Sequence, residues 1–166
     1  MPESFKPIVN MESEILILGT LPGVVSLQKQ QYYGHPRNQF WPIIYDVFDS
    51  EIQVDYEDKC NFLLKNKIAL WDIVGKANRE GALDRAIRDV EPNDIAGLFK
   101  EYPGITTIIF NGKDPEKYFK KFFPDLYINK KCIRVSSTSP IPGKYIKSLS
   151  KKKQEWRDSI LKGISA

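Results

Sequence analysis

The amino-acid sequence predicts an α/β fold in which helices flank a mainly parallel central sheet. Short apolar runs alternate with segments of helical periodicity along the 166 residues, a pattern typical of strands buried between helices. A hydrophobic content of 42% supports a sizeable core, so we expect residues 1–166 to form a single domain. Each apolar run also ends in a polar or glycine-rich feature, which is where ligands bind in open α/β sheets.

Four apolar runs predict the strands of the sheet, because short continuous runs of this kind are typical of fully buried strands. In chain order they are Ile15–Leu18, Ile68–Ile73, Thr106–Phe110 and Cys132–Val135. Apolar residues at helical spacing predict five helices, over Gln39–Phe48, Tyr56–Lys65, Asp94–Lys100, Pro115–Phe122 and Leu149–Ile164. The connection from Trp71 to Asp94 contains glycine and proline, so we expect a short helix there at most.

The composition argues against several classes of protein. His35 is the single histidine, and Cys60 and Cys132 lie far apart, so both are expected to be free buried thiols. We therefore expect no metal site and no iron–sulfur cluster. The chain has no run of about 20 apolar residues and no signal-peptide pattern, so we expect a cytoplasmic protein that does not enter a membrane.

Common catalytic and cofactor motifs are missing from the sequence. The pair Gly112-Lys113 is followed by Asp114, so no phosphate-binding P-loop is present, and no dinucleotide-binding glycine pattern follows the first strand. The chain also lacks the nucleophile elbow of α/β hydrolases. We therefore expect no organic cofactor. A Ser–His–Asp triad would have to use His35, and no particular serine is marked as its partner.

Two loops carry the remaining chemistry. The first strand ends in Gly19-Thr20-Leu21-Pro22-Gly23, followed by Tyr32-Tyr33-Gly34-His35-Pro36-Arg37-Asn38-Gln39-Phe40-Trp41, and a later loop reads Ser136-Ser137-Thr138-Ser139-Pro140. Together these segments resemble the uracil-DNA glycosylase superfamily, nearest to its hypoxanthine-DNA glycosylase branch and next to the mismatch-specific uracil glycosylases. The resemblance runs from about Ile15 to the end. It implies a three-layer fold with a four-stranded parallel sheet in the order 2-1-3-4.

Asn38 is the candidate catalytic residue. Cleavage of an N-glycosidic bond passes through an electrophilic sugar cation, so an amide carbonyl suffices to position the attacking water. The same asparagine is also well placed to cap a helix that begins at Gln39. The resemblance assigns catalysis to the Asn of the His-Pro-x-Asn-x-Phe-Trp motif, which is Asn38 here. Leu21 stands where the mismatch-specific branch has Asn, which matches the hypoxanthine branch instead.

Four residues are candidates for base binding. The resemblance places Tyr33 as the ring that stacks on an extruded base, although Tyr32 or Tyr33 could also pack in the core. Asp72 could accept the N1–H of hypoxanthine and would repel the bare N1 of adenine, or it could cap the following turn. Asn111 is another possible reader of the base, or a turn former in Asn-Gly. Gly19 begins the loop beside them.

The second loop is the candidate DNA contact. The loop resembles the second motif of the family, which grips phosphates flanking the target, and this resemblance assigns Ser137, Thr138, Ser139 and Pro140 to DNA binding. Hydroxyls and main-chain N–H groups suit phosphate contacts; an ordinary polar turn is the alternative. Ile141 is the candidate wedge between bases. Lys144 opens a basic run to Lys162 that includes Lys151 and Lys152, within a chain of net charge +4; this run contacts phosphates or is a solvated helix face.

These observations predict a monofunctional DNA glycosylase that removes deaminated bases, hypoxanthine (deoxyinosine) foremost, in base excision repair. Val135 replaces the histidine that precedes this loop in uracil-specific enzymes, and Ser136 replaces the usual proline, so we do not expect robust uracil excision. We expect a monomer whose partner is DNA containing deaminated bases. The alternatives are a uracil- or xanthine-directed glycosylase, a non-catalytic nucleic-acid-binding module, and a hydrolase of free nucleosides.

Overall fold

The computed structural model describes residues 5–79, 87–139 and 148–164. Pro140, Ile141 and Lys144, three of the predicted DNA contacts, lie outside these residues. The elements are β1 (Ile15–Gly19), α1 (Val24–Lys29), α2 (Phe40–Val47), α3 (Tyr56–Lys65), β2 (Ile68–Asp72), β3 (Val74–Arg79), β4 (Ile87–Pro92), α4 (Ile95–Glu101), β5 (Thr107–Asn111), α5 (Lys113–Phe122), α6 (Pro124–Asn129), β6 (Lys131–Val135) and α7 (Leu149–Gly163). All four predicted strands and all five predicted helices are present, with boundaries shifted by one or two residues.

The central sheet has the strand order β2-β1-β5-β6. Every neighbouring pair in it is parallel. Counting the four predicted strands alone, this is the order 2-1-3-4, so the prediction is confirmed. The chain leaves β1 toward one edge of the sheet and later returns to its other side as β5. The order therefore reverses between β1 and β5, and such a switch point opens a crevice at the carboxyl ends of the strands.

Strands β1, β2 and β5 are buried on both faces of the sheet, which gives the predicted three layers. Successive side chains of a strand point to opposite faces. In β1, Ile15 and Ile17 pack with residues of α2, α3 and α7, whereas Leu16 and Leu18 pack with residues of α4 and α5. All four side chains are fully buried. A strand that faces two helical layers has no polar face, which is why it appears in the sequence as an unbroken apolar run.

The segment between Trp71 and Asp94 differs from the prediction. It forms an antiparallel pair, β3 and β4, rather than a short helix. The register of the pair shifts twice, between Val74 and Lys76 and between Lys76 and Asn78. Polar residues interrupt both strands, so neither has the apolar run or the regular alternation that identifies a strand in sequence. The pair forms a two-stranded sheet separate from the central one.

Side chains that accept backbone N–H groups mark the starts of three helices. Asp55 precedes α3, Asp94 precedes α4 and Ser148 precedes α7, and each accepts from a backbone N–H in the first turn. These are the residue types that cap helices best. The longest helix is α7, with 15 residues. Within residues 5–79, 87–139 and 148–164, no helix has the length and apolar character to cross a bilayer.

Candidate active site at the carboxyl edge of the sheet

A pocket of about 270 Å³ lies at the carboxyl ends of the central strands. Gly19 from the end of β1, Asp72 from the end of β2 and Asn111 from the end of β5 line it. Three further segments complete the wall: residues 20–26, which follow β1, the motif loop, residues 32–39, and the Ser/Thr loop, residues 136–140, of which the structure describes residues 136–139. The pocket therefore brings together the candidate catalytic residue, all four candidate base-binding residues and Ser137, Thr138 and Ser139.

The two adjacent tyrosines of the motif loop have different roles. Tyr32 is 3% exposed, and its hydroxyl donates to the Lys6 carbonyl oxygen at 2.7 Å. Burial, followed by the charge of Asp72, raises the pKa of Tyr32 far above its usual value. Tyr33 adopts the left-handed region at φ 53°, an uncommon conformation for a residue other than glycine. This backbone turn sends consecutive rings in different directions, with Tyr32 in the core and Tyr33 at the pocket.

The ring of Tyr33 is held on one face and at its tip. It stacks on Phe40 with the ring centroids 4.1 Å apart and the planes 21° from parallel. Its hydroxyl accepts a hydrogen bond from Asn111 Nδ2 at 3.0 Å. Because Phe40 is fully buried in the first turn of α2, the ring of Tyr33 rests on the helical layer of the core. The pocket wall at Tyr33 is thus preformed.

Gly19 lets the backbone of β1 pass close to Asp72 and Tyr33. A Cβ atom at this position would lie 2.6 Å from Asp72 Oδ1 and 2.8 Å from the Tyr33 hydroxyl oxygen, closer than such atoms approach in proteins. Gly19 and Asp72 are also paired residues in the β1–β2 register. Asp72 is 4% exposed, so its carboxyl group is buried where it borders the pocket. The close approach explains why glycine ends this strand.

The Asn111 amide connects Tyr33 to the Ser/Thr loop. Its Nδ2 donates to the Tyr33 hydroxyl and to Thr138 Oγ1, both at 3.0 Å, and its Oδ1 accepts from the Thr138 N–H at 2.9 Å. Both amide hydrogens are therefore engaged within the protein. Thr138 is fully buried, whereas Ser137 is exposed. The structure places Thr138 among the residues that hold the loop, and Ser137 on its surface.

Asn38 lies in the pocket wall immediately before α2. Its Oδ1 accepts from the Phe40 N–H at 2.9 Å, and its own N–H donates to the His35 carbonyl at 3.0 Å. The predicted cap is therefore shifted by one residue: Gln39 is the N-cap of α2 and makes no side-chain cap bond, and Asn38, one residue before it, accepts from the first N–H of the helix. A carbonyl oxygen has two lone pairs, so this contact uses one of the two acceptor sites of Oδ1. His35 Nδ1 accepts from the Arg37 N–H at 3.1 Å.

Helix α7 attaches to the Ser/Thr loop through two residues that the sequence reasoning missed. Glu155 Oε1 accepts from the Ser136 N–H at 2.6 Å, and Trp156 Nε1 donates to the Ser136 carbonyl at 3.0 Å. Trp156 is fully buried and meets Phe40 edge to face, with the centroids 6.0 Å apart. Glu155 and Trp156 lie three and four positions after Lys152, and residues at these spacings share one face of a helix. This spacing is the sequence signal that could have identified both residues.

Most of the basic side chains of α7 make hydrogen bonds or ion pairs within the protein. Arg157 NH2 donates to the Asp46 carbonyl and to Asp49 Oδ1, and Lys153 lies 3.9 Å from an Asp46 carboxylate oxygen. Lys152 is 5% exposed, so the prediction that it contacts phosphate is wrong. Its position in the packed interface between α7 and α2 explains the difference. Lys151, in contrast, is exposed.

Residues of metal-ligand type are scattered in the described parts of the chain. Among residues 5–79, 87–139 and 148–164, no three His, Cys, Asp or Glu side chains group as ligands for an ion. Cys60 and Cys132 are free and only partly buried, rather than fully buried as predicted. Burial raises the pKa of Cys60 and, with Glu116 adding to the effect, raises that of Cys132 to about 11. Both thiols are therefore protonated at neutral pH.

Comparisons with known proteins agree with this geometry. The family model described as the uracil DNA glycosylase superfamily matches residues 7–162. A hypoxanthine DNA glycosylase of Methanosarcina barkeri is 40% identical over 117 residues, covering 70% of this chain and 74% of that protein. One of Methanosarcina acetivorans is 41% identical over 115 residues, covering 69% and 73%. The solution NMR structure of a candidate uracil DNA glycosylase from Methanosarcina acetivorans superimposes with a TM-score of 0.80 at 32% identity, covering 95% of each chain.

Proposed function

This chain belongs to the uracil DNA glycosylase superfamily, and from that premise we propose that it is a monofunctional DNA glycosylase of base excision repair. Its substrate in this proposal is DNA that contains deaminated bases, hypoxanthine foremost. The observation that carries the proposal is that Asn38 and Tyr33 of the motif loop line one pocket together with Asp72 from the end of β2. The relatives named hypoxanthine DNA glycosylases support the choice of base.

In the proposed reaction, Asn38 positions the water that attacks the anomeric carbon. As the base departs, the sugar gains oxocarbenium character and becomes electrophilic, so the water needs placement more than deprotonation. One lone pair of Asn38 Oδ1 is occupied by the Phe40 N–H at 2.9 Å. This contact fixes the amide, and the second lone pair is the one we assign to the water. The contact with the Phe40 N–H and the catalytic role are therefore compatible in one side chain.

The extruded base stacks on Tyr33 in this proposal. Phe40 supports one face of the Tyr33 ring at 4.1 Å, and the other face is assigned to the base. Stacking of a base on an aromatic ring contributes about 1–3 kcal/mol, which offsets the few kcal/mol needed to unstack the nucleotide from the duplex. The hydrogen bond from Asn111 keeps the ring in place before DNA arrives.

Asp72 is assigned to base selection, with Gly19 giving it room. A carboxylate accepts hydrogen bonds and donates none, so it favours the N1–H of hypoxanthine over the bare N1 of adenine. Asn111 remains the second candidate reader of the base. Its two amide hydrogens already serve Tyr33 and Thr138, which makes it the weaker candidate of the two.

Contacts with DNA outside the pocket are assigned to the Ser/Thr loop and its neighbours. The hydroxyls of Ser137 and Ser139 contact phosphates in this proposal, since the Ser139 N–H already donates to Ser137 Oγ at 3.1 Å, while Thr138 acts from inside the loop. Pro140, Ile141 as the wedge and Lys144 are kept as proposed contacts on the basis of the sequence alone. Action as a monomer and a cytoplasmic location are kept as part of the proposal on the basis of the sequence alone.

Base release from defined DNA substrates tests the proposal. Duplexes and single strands that carry one hypoxanthine, xanthine or uracil are incubated with the protein, and abasic sites are revealed by alkaline strand scission. We expect release of hypoxanthine to be fastest. Faster release of uracil or xanthine would assign the protein to a different substrate. Tight binding without release would favour a binding module, and cleavage of free nucleosides instead of DNA would favour a nucleoside hydrolase.

A further inference from the structure

We propose that Lys152 is a positioning residue of the glycosylase reaction, which holds the Asn38 segment against the Ser/Thr loop through Gln39. This inference rests on the proposed function, because it concerns the same pocket. It assigns to Lys152 a role inside the protein in place of the phosphate contact that its charge suggests.

Gln39 is the residue through which Lys152 acts. Lys152 Nζ donates to Gln39 Oε1 at 2.9 Å, across 113 positions of the chain. The Gln39 N–H donates to the Thr138 carbonyl at 3.0 Å, and its carbonyl accepts from the Ile43 N–H at 3.0 Å. Gln39 thus contacts α7, the Ser/Thr loop and α2 at once, and it directly follows Asn38 in the chain. Fixing Gln39 therefore fixes the backbone that carries the proposed water-positioning amide.

The other end of the site is held from the same face of α7. We call Lys152, Glu155 and Trp156 the α7 contact face, since residues at i, i+3 and i+4 lie together on a helix. Glu155 and Trp156 hold both backbone groups of Ser136, at 2.6 and 3.0 Å. Lys152 holds the motif loop by Gln39. A single helix face therefore sets the distance between the two loops that border the pocket.

The free-energy cost of burying the Lys152 ammonium group allows a positioning role to be distinguished from a stabilising role. Lys152 is 5% exposed, and burial lowers its pKa. Removing a charge from water costs free energy that a hydrogen bond recovers only in part, so an apolar side chain of similar length need not destabilise the fold. If Lys152 served stability alone, its substitution by methionine would change the melting temperature and leave the release rate of the folded protein unchanged. A positioning residue predicts that the rate falls by itself.

The test compares Lys152→Met with Lys100→Met, which removes an exposed lysine on α4, far along the chain from both loops. Single-turnover release of hypoxanthine is measured at saturating enzyme, with duplex binding at several salt concentrations and the melting temperature. We expect Lys152→Met to slow release by about 10- to 100-fold, the scale of a small misplacement of reacting groups. The salt dependence of DNA binding and the melting temperature of Lys152→Met should match those of Lys100→Met. The release rate of Lys100→Met should match that of the wild-type protein.

A double-mutant cycle tests the route through Gln39. Gln39→Met removes the acceptor and leaves Lys152 in place, so it also gives a result should Lys152→Met fail to fold. Once either partner is lost, removing the other should cost little more, and the two effects should be strongly non-additive. Lys152→Gln, which keeps an N–H donor without the charge, should recover part of the rate.

Three results would overturn the proposal. They are an unchanged release rate in Lys152→Met, additive effects in the double mutant, and a loss of binding with a smaller salt slope, the signature of a phosphate contact. The backbone amide resonances of Gln39 and Thr138 provide a readout that needs no activity. They should shift in Lys152→Met and not in Lys100→Met. If the wild-type protein releases no base, the proposed function fails, and these resonances alone then support or overturn the positioning role.

Discussion

At the scale of single residues, the site depends on side chains that make one contact inside the protein and offer another to the pocket. Asn38 accepts from the Phe40 N–H and still has acceptor capacity, and Tyr33 rests on Phe40 while its ring borders the pocket. Asn111 differs, since its amide hydrogens are both used internally. The internal contact fixes each group before substrate binds, which reduces the ordering cost of the transition state.

Replacing Asn38 by alanine separates its two contacts. Loss of the proposed water position should cost about 2–3 kcal/mol of transition-state stabilisation, whereas loss of the bond to the Phe40 N–H alone should cost about 1 kcal/mol of folding free energy. Asn38→Ser is the matched control, because a serine oxygen can still accept from this N–H but does not reach as far. We expect Ser to restore the melting temperature and not the single-turnover rate. A near-normal rate for folded Asn38→Ala would leave Asn38 with a structural role alone.

Gly19→Ala tests the close approach beside Asp72. The new Cβ would lie 2.6 Å from Asp72 Oδ1 and 2.8 Å from the Tyr33 hydroxyl oxygen, so both groups must move. We expect release of hypoxanthine to fall by at least about tenfold, because displacement of pocket groups on the ångström scale is costly. At Gly23, a Cβ meets nothing within 4 Å, so Gly23→Ala should lose far less activity. Equal losses in the two variants would contradict the proposed role of Gly19.

Asp72→Asn tests the selection of the base. An amide offers both a donor and an acceptor, so the variant should tolerate the bare N1 of adenine better than the carboxylate does. The ratio of release rates for hypoxanthine and adenine should narrow by an amount equivalent to about 1–3 kcal/mol, the cost of one unpaired buried polar group. The ratio is compared rather than either rate, since the overall rate also falls with a perturbed pocket. If the ratio is unchanged in a folded variant, Asp72 does not select the base, and Asn111 becomes the next candidate to test.

At the scale of elements, the site is assembled from loops that hold one another. The Gln39 N–H donates to the Thr138 carbonyl, and Thr138 in turn exchanges hydrogen bonds with Asn111 at the end of β5. Helix α7 contacts the loop at Ser136. Because each loop is fixed to a strand end or to a helix, the pocket wall has few independent parts, and a change at one loop is transmitted to the other.

The basic run of α7 gives a prediction about DNA binding at this scale. Lys151 is exposed, and we expect Lys151→Ala to weaken binding to all sequences and to lower the log–log salt slope by about 0.9. Arg157→Ala is the control, since Arg157 is bound to Asp46 and Asp49 of the protein. It should leave the slope unchanged and lower the melting temperature slightly. An unchanged slope in Lys151→Ala would make this stretch a solvated helix face.

The sequence was sufficient to predict the elements that are buried on both sides. It was insufficient to predict local structure and side-chain exposure where contacts with neighbouring elements decide them. Strands such as Ile15–Gly19 form unbroken apolar runs because both faces meet helices. The β3–β4 pair escaped prediction because its polar residues show no such pattern. Lys151 and Lys152 look equivalent in sequence, yet one is exposed and the other is buried against α2. Thr138 and Ser137 differ in the same way, and neighbouring helices and loops decide each case.

At the scale of the whole molecule, topology places the site. The parallel order β2-β1-β5-β6 brings the ends of β1, β2 and β5 to one edge, and the reversal between β1 and β5 opens the crevice there. Two apolar layers, one on each face of the sheet, keep the strand ends rigid relative to one another. The pocket groups therefore come from distant parts of the chain, and the fold supplies their relative positions.

The pocket as a whole predicts the chemical course of the reaction. Among the described residues that line it, none is a lysine, so the structure offers no amine there for a Schiff base with the sugar, and water is the expected nucleophile. We expect borohydride to trap no covalent protein–DNA adduct during hypoxanthine release. The DNA strand should stay intact until alkali is added, and EDTA should not change the rate. A lyase that forms such an adduct serves as the positive control. A trapped adduct would contradict hydrolysis by water, and its loss in Lys144→Ala would then identify the amine as that of Lys144, which follows the Ser/Thr loop in sequence.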